Sequence, residues 1–434
     1  MFIHESVSWP VFRWDKDRIT DTLSHANKAV GFLAGRLSML GFDSQLAATV
    51  ESVTHDIIAS SEIEGVTLNT DEVRSSVARR LGVSVPETKE PTHYVDGIVE
   101  MMLDATQNYS CPLTSERLFG WHAALFPLGR SGSSAIHVGA YRTNGMEVVS
   151  GMFGRERVHY RAPDPQRVEN EMEAFLAWFN DIGQTPPSLL KSAVAHLWFV
   201  SIHPFDDGNG RIGRAISDMV LSQADGSKLR YFSMSMQISR EKKEYYRVLE
   251  STQRGDGDIT DWLEWYLSCL ERAVEASETM LSGVLNKAIF WKTFASEAIT
   301  ARQRQLLNIF LDGYDAKITV KNWAKLANIS PDTAGRDIRD LVSKGVLKAQ
   351  KGKVRDVSYS INYLAEDGFA RNFSEAEIIQ KGGQDYITAR YKGSRKVEER
   401  ISPIDKLRLQ QAEIAINDLI YKYFAYLESQ FHKE

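Results

Sequence analysis

The reading of this chain turns on one stretch, His203-Pro204-Phe205-Asp206-Asp207-Gly208-Asn209-Gly210-Arg211-Ile212-Gly213-Arg214. It follows residues 188–202, which are apolar almost all round and so read as a buried helix. It leads into a second helix, expected over residues 210–222. A glycine-bounded turn that opens a helix aims several unpaired backbone N–H groups, and the positive end of the helix dipole, at one place. Gly208, Asn209, Gly210 and Arg211 thus form an anion cradle. Arg211 and Arg214 lie three apart, share a helix face and are spaced to grip phosphate oxygens at two heights. Asp207, just ahead of the cradle, offers hard carboxylate oxygen to a Mg²⁺ bridging phosphates. His203 titrates near neutrality and is placed to take a proton from an attacking hydroxyl. Each feature alone is common as a helix end, a turn or a solvated face. Their co-occurrence points to nucleotidyl or phosphoryl transfer.

Outward from this stretch the chain reads as mainly α. Apolar residues recur at helical intervals over residues 19–40 and 44–62, and the second segment ends Ser60-Ser61-Glu62-Ile63-Glu64-Gly65, with the glycine as stop. Asn69 or Thr70 caps a helix reaching Leu81, Thr114 or Ser115 caps another that Pro127 closes, and the helical period returns over residues 165–180. The exception is residues 146–149 and 157–160, two β-favouring pieces among Gly145, Gly151 and Gly154, which read as a hairpin.

With 434 residues, 43% hydrophobic and 25% charged, the chain is an ordinary globular protein rather than a disordered or fibrous one. Cys111 and Cys269 have no paired spacing, so neither a disulfide framework nor a zinc site is expected. There is no apolar run of about 18 residues and no signal-peptide pattern at Met1-Phe2-Ile3-His4-Glu5-Ser6, so the expectation is a cytoplasmic protein without a membrane partner.

His203-Pro204-Phe205, Asp207-Gly208-Asn209-Gly210-Arg211 and Arg214 match every fixed position of the signature of the Fic (filamentation induced by cAMP) family. The resemblance extends over residues 110–270 and implies a helical domain with a β-hairpin flap. It implies a protein adenylyltransferase that moves AMP from ATP, with Mg²⁺, to a Ser, Thr or Tyr hydroxyl of a target protein. His203 would be the base, Asp207 the Mg²⁺ ligand, Asn209 with Gly208 and Gly210 the phosphate cradle, Arg211 and Arg214 the clamp, and Phe205 a core anchor. Ser60, Glu64 and Gly65 resemble the family's inhibitory helix motif, in which the glutamate takes the second arginine, here Arg214, from the γ-phosphate. Gly154, Arg157, Val158, His159 and Tyr160 resemble the flap that docks the target as an added strand, and Tyr245 and Tyr246 fall where the family places a tyrosine near the adenine.

Past residue 285 the pattern of helix, Ser330-capped helix and two strands resembles a winged helix-turn-helix. Residues 315–356 carry ten Lys/Arg against five Asp/Glu, a net +5 on an acidic chain of −5. That suits nucleic acid, while Asp332, Asp337 and Asp340 beside Arg336 and Arg339 argue against it. DNA and a protein partner both stay open. The expected division is residues 1–110 as a helical region with the inhibitory helix, 111–284 as the catalytic domain, 285–365 as the winged helix and 366–434 as an extension. Its amphipathic helix, residues 403–431, packs back on the protein or joins two copies in a homodimer. Two further functional readings accompany the transferase: a DNA-binding regulator whose Fic domain senses nucleotide, and a variant that removes AMP or transfers another phosphate group.

Overall fold

The computed structural model describes residues 1–38, 41–83, 89–150, 157–183, 188–311, 317–349, 357–362, 373–391, 395–401 and 406. Among them the fold is mainly helical, with sheets of only two or three strands. The chain divides into two compact units, Met1–Leu285 and Asn286–Glu434.

The first unit begins with an extended strap. Ile3 is fully buried, the Trp9 indole donates to Glu171 (2.7 Å), and Arg13 exchanges backbone bonds with Gly257 (3.0 Å) and Ile259 (2.9 Å). Then come α1 (Lys16–Leu37), α2 (Phe42–Ile63), α3 (Thr70–Leu81), α4 (His93–Gln107) and α5 (Ser115–Leu125). The side chain of Asn69 caps α3 and that of Thr114 caps α5, as their spacing predicts. α2 stops at a Schellman turn: Gly65 takes φ +77°, its N–H bonds to Glu62 O (3.0 Å), and Val66 N–H reaches Ser61 O (2.9 Å). α4 falls in the region expected to be helical, residues 1–110, but is not among the helices predicted individually there. Its signal is the Thr92 cap followed by an inward stripe of Val95, Ile98, Val99 and Met102.

Two short strands, β1 (Arg130–Ser131) and β2 (Ser134–Ala135), precede the hairpin of β3 (Glu147–Ser150) and β4 (Arg157–Arg161), whose antiparallel register shifts at Val148/Val149. α6 (Val168–Asn180) leads to the core pair α7 (Leu189–Ile202) and α8 (Asn209–Asp225). All of α7 except Leu190 is buried, as its nearly all-apolar surface predicts. Ser192 and Ser217 exchange hydroxyl-to-carbonyl bonds (2.9 and 3.2 Å) where α7 and α8 meet, and a Cβ at Gly213 would stand 2.9 Å from Val200 Cγ1. α9 (Met234–Arg240), α10 (Lys242–Gln253) and α11 (Thr260–Thr293) complete the order, the unit boundary falling within α11.

The second unit packs α12 (Ala301–Leu311), α13 (Val320–Ala327) and α14 (Pro331–Ser343) around Trp323, Leu307, Ile338 and Leu341, with β5 (Leu347–Ala349) paired antiparallel to β6 (Tyr359–Ile361). It also holds an antiparallel sheet of β7 (Phe373–Lys381), β8 (Gln384–Tyr391) and β9 (Arg395–Arg400), inside the stretch expected only as an extension. Gly382 and Gly383 both take positive φ, as the two-residue turn between β7 and β8 demands. The amphipathic stretch expected at 403–431 lies outside the described residues, apart from residue 406. Among the described residues no helix is long and apolar enough to cross a membrane, and both cysteines are free.

α4 and α5 cross at backbone contact, since a Cβ on Gly97 would lie 2.1 Å from Ala124 O. Neither atom is the far end of a flexible side chain, so the helices must separate to admit a methyl group. Gly97→Ala is expected to destabilise the first unit by about 2 kcal/mol or more, read as a lower urea midpoint with an unchanged m-value.

Candidate active site

The loop between α7 and α8 is braced from within. α7 ends on His203, which takes the left-handed conformation (φ +52°), and α8 starts after Gly208, also left-handed (φ +83°). A Cβ at Gly208 would press on Phe126 Cε2 at 2.9 Å, so backbone and packing both require glycine there. The Asn209 side chain accepts from Phe205 N–H (3.0 Å) and donates to Phe205 O (2.8 Å), closing the loop on itself. Phe205 is fully buried and stacks on His122, ring centroids 4.3 Å apart and nearly parallel.

Two residues absent from the sequence reading's candidates hold this loop from outside. Arg142, buried, donates to the carbonyls of His203 (2.7 Å), Asn144 (2.8 Å) and Pro163 (2.6 Å), which ties the strained His203 to the base of the hairpin. His122 accepts from Gly139 N–H (3.2 Å) at Nδ1 and donates to Asp207 O (3.2 Å) from Nε2, the neutral tautomer. Burial pushes its pKa down to about 4. Glycine and tyrosine before Arg142 mark a change of character in the sequence, but nothing in the spacing of either residue announces the loop as its partner.

The functional groups face the open side. His203 Nδ1 donates to Val200 O (3.2 Å), so its Nε2 carries the lone pair. Burial holds the imidazole below its ordinary pKa, against the pull of Glu64 and Asp207, and the ring is neutral at pH 7. Asp207 accepts from Gly208 N–H (2.5 Å) and from the Ser131 hydroxyl, while Asp206 accepts from the backbone and ring of His137 (both 2.9 Å). No side chain caps α8, so its first-turn amides point at the space above Gly210.

That space holds Glu64. A Cβ on Gly210 would lie 2.1 Å from Glu64 Oε1, and the same oxygen accepts from Arg214 Nη2 at 2.8 Å. Arg214, nearly inaccessible, also donates from Nε to Ser60 Oγ (2.9 Å) and from Nη2 to Ser60 O (2.8 Å), while its Nη1 is buried without a partner. Burial works against the Arg214 charge, but Glu64, Tyr245 and Tyr246 together outweigh it and the guanidinium stays protonated. Gly65 positions the carboxylate by ending α2 there.

Several expected placements change. Asn209 shapes the cradle and gives its whole amide to Phe205 rather than lining it. Arg211 parts from Arg214: it donates to the Tyr94 hydroxyl (3.1 Å) and lies over the Phe126 ring, with Nε buried and unpartnered. Helix spacing sets the two arginines on one face, yet long side chains follow whichever neighbours each meets. Tyr245 is buried among Trp262, Trp265 and Tyr246, with its hydroxyl on His196 Nε2 (3.0 Å), and offers no stacking face; Tyr246 is the exposed member of the pair.

In the hairpin, Tyr160 is a core anchor whose hydroxyl donates to Ser201 O (2.7 Å), so it does not face outward. Arg157 and His159 both bind Glu250 on α10 (2.9 and 2.7 Å), and Val158 O accepts from Arg254 (2.6 Å). β3 is exposed along its length. Gly154 lies outside the described residues.

Behind the site, α2 and α8 share a buried polar node. Asp218 pairs with Arg230 (2.9 Å), and Asp56 accepts from the Ser233 hydroxyl (2.6 Å) and from the N–H and hydroxyl of Ser235 (both 3.1 Å). Burial, reinforced by Asp56 and opposed by Arg230, raises the Asp218 pKa to about 7.

A model of the Fic/DOC family matches residues 112–221, and a domain of unknown function, DUF4172, matches residues 2–83. The protein adenylyltransferase Fic of Nematostella vectensis is 25% identical over 234 residues, 53% of this chain and 49% of the relative. The uridine 5'-monophosphate transferase of Xanthomonas campestris pv. campestris (strain 8004) is 30% identical over 120 residues, 26% of this chain and 21% of the relative. The chain thus spans half or less of these relatives' lengths. Among solved structures, a Fic family protein from Desulfovibrio desulfuricans G20 aligns with a TM-score of 0.49 at 20% identity, covering 79% of this chain and 95% of that one.

The Asp218 shift has a thermodynamic consequence. A carboxyl group whose pKa is raised on folding binds more protons in the native state, so its contribution is complete below the unfolded value of about 4. It is lost as pH rises toward 7. In urea titrations at pH 5 and pH 7.5, Asp218→Asn is expected to gain stability relative to the parent at the higher pH, by about 1–3 kcal/mol.

Proposed function

We propose, from the match of residues 112–221 to the Fic/DOC family, that the chain is an auto-inhibited protein adenylyltransferase. In the proposed reaction a Ser, Thr or Tyr hydroxyl of a target protein attacks the α-phosphate of ATP in line. A bond forms between that oxygen and Pα, the bond to the β-phosphate bridging oxygen breaks, the hydroxyl proton passes to His203 Nε2, and pyrophosphate leaves. Two features of His203 support this role: the tautomer imposed by Val200 O, and the depressed pKa that keeps the ring neutral. The first-turn amides of α8 and the Arg214 guanidinium would stabilise charge developing on the phosphates.

Asp207 suits Mg²⁺, being a partly exposed, hard oxygen donor. Asp207 would hold the ion with one carboxylate, phosphate oxygens and water completing its shell. The bound ion would neutralise phosphate charge. The exposed β3 strand is the element we assign to docking an extended target segment by strand addition. With Tyr245 buried, Tyr246 is left as the aromatic candidate for the nucleobase.

The observation that carries the proposal is the position of Glu64, whose carboxylate lies on Gly210 and holds Arg214. A carboxylate and a phosphate oxygen require the same guanidinium and the same amides, so only one can be bound there at a time. Glu64 would therefore hold the enzyme in a restrained form.

With α-labelled ATP, Mg²⁺ and a cell lysate, Glu64→Gly is expected to raise protein labelling at least about tenfold over the parent, in proportion to the charge-assisted contact it removes. Adding His203→Ala should abolish about 99% or more of that signal, the scale of a general base. Equal labelling by the parent, Glu64→Gly and the double variant would overturn the assignment. In the Glu64→Gly background the acid limb of the rate profile is expected below about pH 6.5, because burial lowers the His203 pKa and the variant removes a carboxylate that raised it.

A further inference from the structure

The β3–β4 hairpin is fastened differently at its two ends. At the base, Tyr160 is buried with its hydroxyl on Ser201 O (2.7 Å), and Arg142 holds the carbonyls of Asn144 and Pro163 on either side (2.8 and 2.6 Å). At the far end Ser150 pairs with Arg157, and both are exposed. Here a single carboxylate from α10 gathers the groups. Glu250 Oε1 accepts from Arg157 Nη2 (2.9 Å) and Arg254 Nε (3.2 Å), and its Oε2 accepts from His159 Nδ1 (2.7 Å). The other ring nitrogen of His159 bonds the Ser150 hydroxyl (2.5 Å), so Glu250 reaches both strands. Arg254 also donates to Val158 O (2.6 Å) and so holds the β4 backbone.

Stability does not account for this convergence. The Arg157 and Arg254 side chains are 70% and 45% exposed, and ion pairs in such places contribute little to folding. Tyr160 and Arg142 already join the hairpin to the core. What two guanidinium groups and an imidazole on one carboxylate do supply is direction, because each added bond removes a way for the far end to swing. The place of Glu250 on α10 is the second observation. It stands four residues after Tyr246, on the same helix face, so one turn carries both the aromatic candidate for the nucleobase and the anchor of the hairpin. An extended segment added to a strand is placed only as well as that strand is held, and a small misplacement of a reacting group is costly.

Resting on the reading of β3 as the docking strand, we propose that Glu250 is a positioning residue of the transfer reaction: it holds the far end of the hairpin to α10 and so sets where the target hydroxyl lies relative to the nucleotide and His203 Nε2. Its carboxylate is engaged by Arg157, His159 and Arg254, and it acts through them.

The test compares Glu250→Ala with its parent in the Glu64→Gly background, using α-labelled ATP, Mg²⁺ and a cell lysate. Protein labelling at saturating ATP is expected to fall at least about tenfold, the scale of a misplaced reacting group, while the KM for ATP shifts by less than about twofold. Arg157→Ala/His159→Ala should give the same loss, and adding Glu250→Ala to that pair should lower labelling no further, since the three act as one unit. Hydrogen exchange of the full-length chain, read without any reaction, is expected to quicken at least about tenfold at the β4 amides in Glu250→Ala and to stay unchanged in α8. The proposal is overturned if labelling is unchanged, if the KM for ATP rises in step with the loss, if the substitutions add, or if β4 exchanges at the parent rate. A Glu64→Gly protein that labels nothing would refute the transferase reading instead, and the exchange rates would then decide the anchoring by themselves.

Discussion

A buried positive charge decides how the first unit is assembled. Arg214 is almost inaccessible to solvent, and an unpaired guanidinium in that position would destabilise the fold by several kcal/mol. Ser60 and Glu64 supply its partners, from a helix about 150 residues away in sequence. The match continues along both helices. Asp56, Ser60 and Glu64 stand four apart on α2 and meet Asp218, Arg214 and Gly210, four apart in the reverse direction on α8. The helices therefore run antiparallel, joined by the bonds of Arg214 to Ser60 and Glu64, and α2 belongs to the architecture of the site.

On the proposed reading this arrangement also makes the restraint reversible. A nucleotide phosphate that took the place of Glu64 would return a negative charge to Arg214, so the guanidinium would keep a partner in either form. Its Nη1, buried beside Gly210 and unpartnered among the described residues, can donate to one more oxygen. The loop between α7 and α8 is held by contacts independent of that exchange. Asn209 closes it internally, His122 and Arg142 fix its two ends, and Phe205 anchors it in an aromatic cluster. The proposed base and anion cradle, set on two buried helices, suit preorganised electrostatics.

Much of this was legible along the chain. Helices whose starts carry Asn69, Thr114, Ser188 or Ser330 lie where the caps indicate, because a cap acts within three residues of itself. The β3–β4 hairpin was legible from its glycines and short β-favouring runs. The β7–β9 sheet was not: charged and polar residues interrupt the alternation in all three strands, and only the turn glycines mark it. Tyr160 and Tyr245 illustrate the limit on roles. An aromatic in a motif-like position looks available in sequence, but distant segments cover it, Ser201 and the N-terminal strap for one and α11 for the other.

The sequence by itself determined the chemistry of residues 203–214: a histidine, a carboxylate, a glycine-bounded helix start and two arginines at fixed spacing, all set by local backbone geometry. It also determined that Glu64 ends a helix, since Gly65 supplies the left-handed turn. Only the tertiary structure decided which partner each group receives. It sent Arg211 to Tyr94 and Arg214 to Glu64, gave the Asn209 amide to Phe205, and turned Asp337 inward to Arg302. The reason is physical. Spacing along a helix fixes the face from which a side chain leaves, whereas the atoms that desolvate and pair it come from segments brought together by packing.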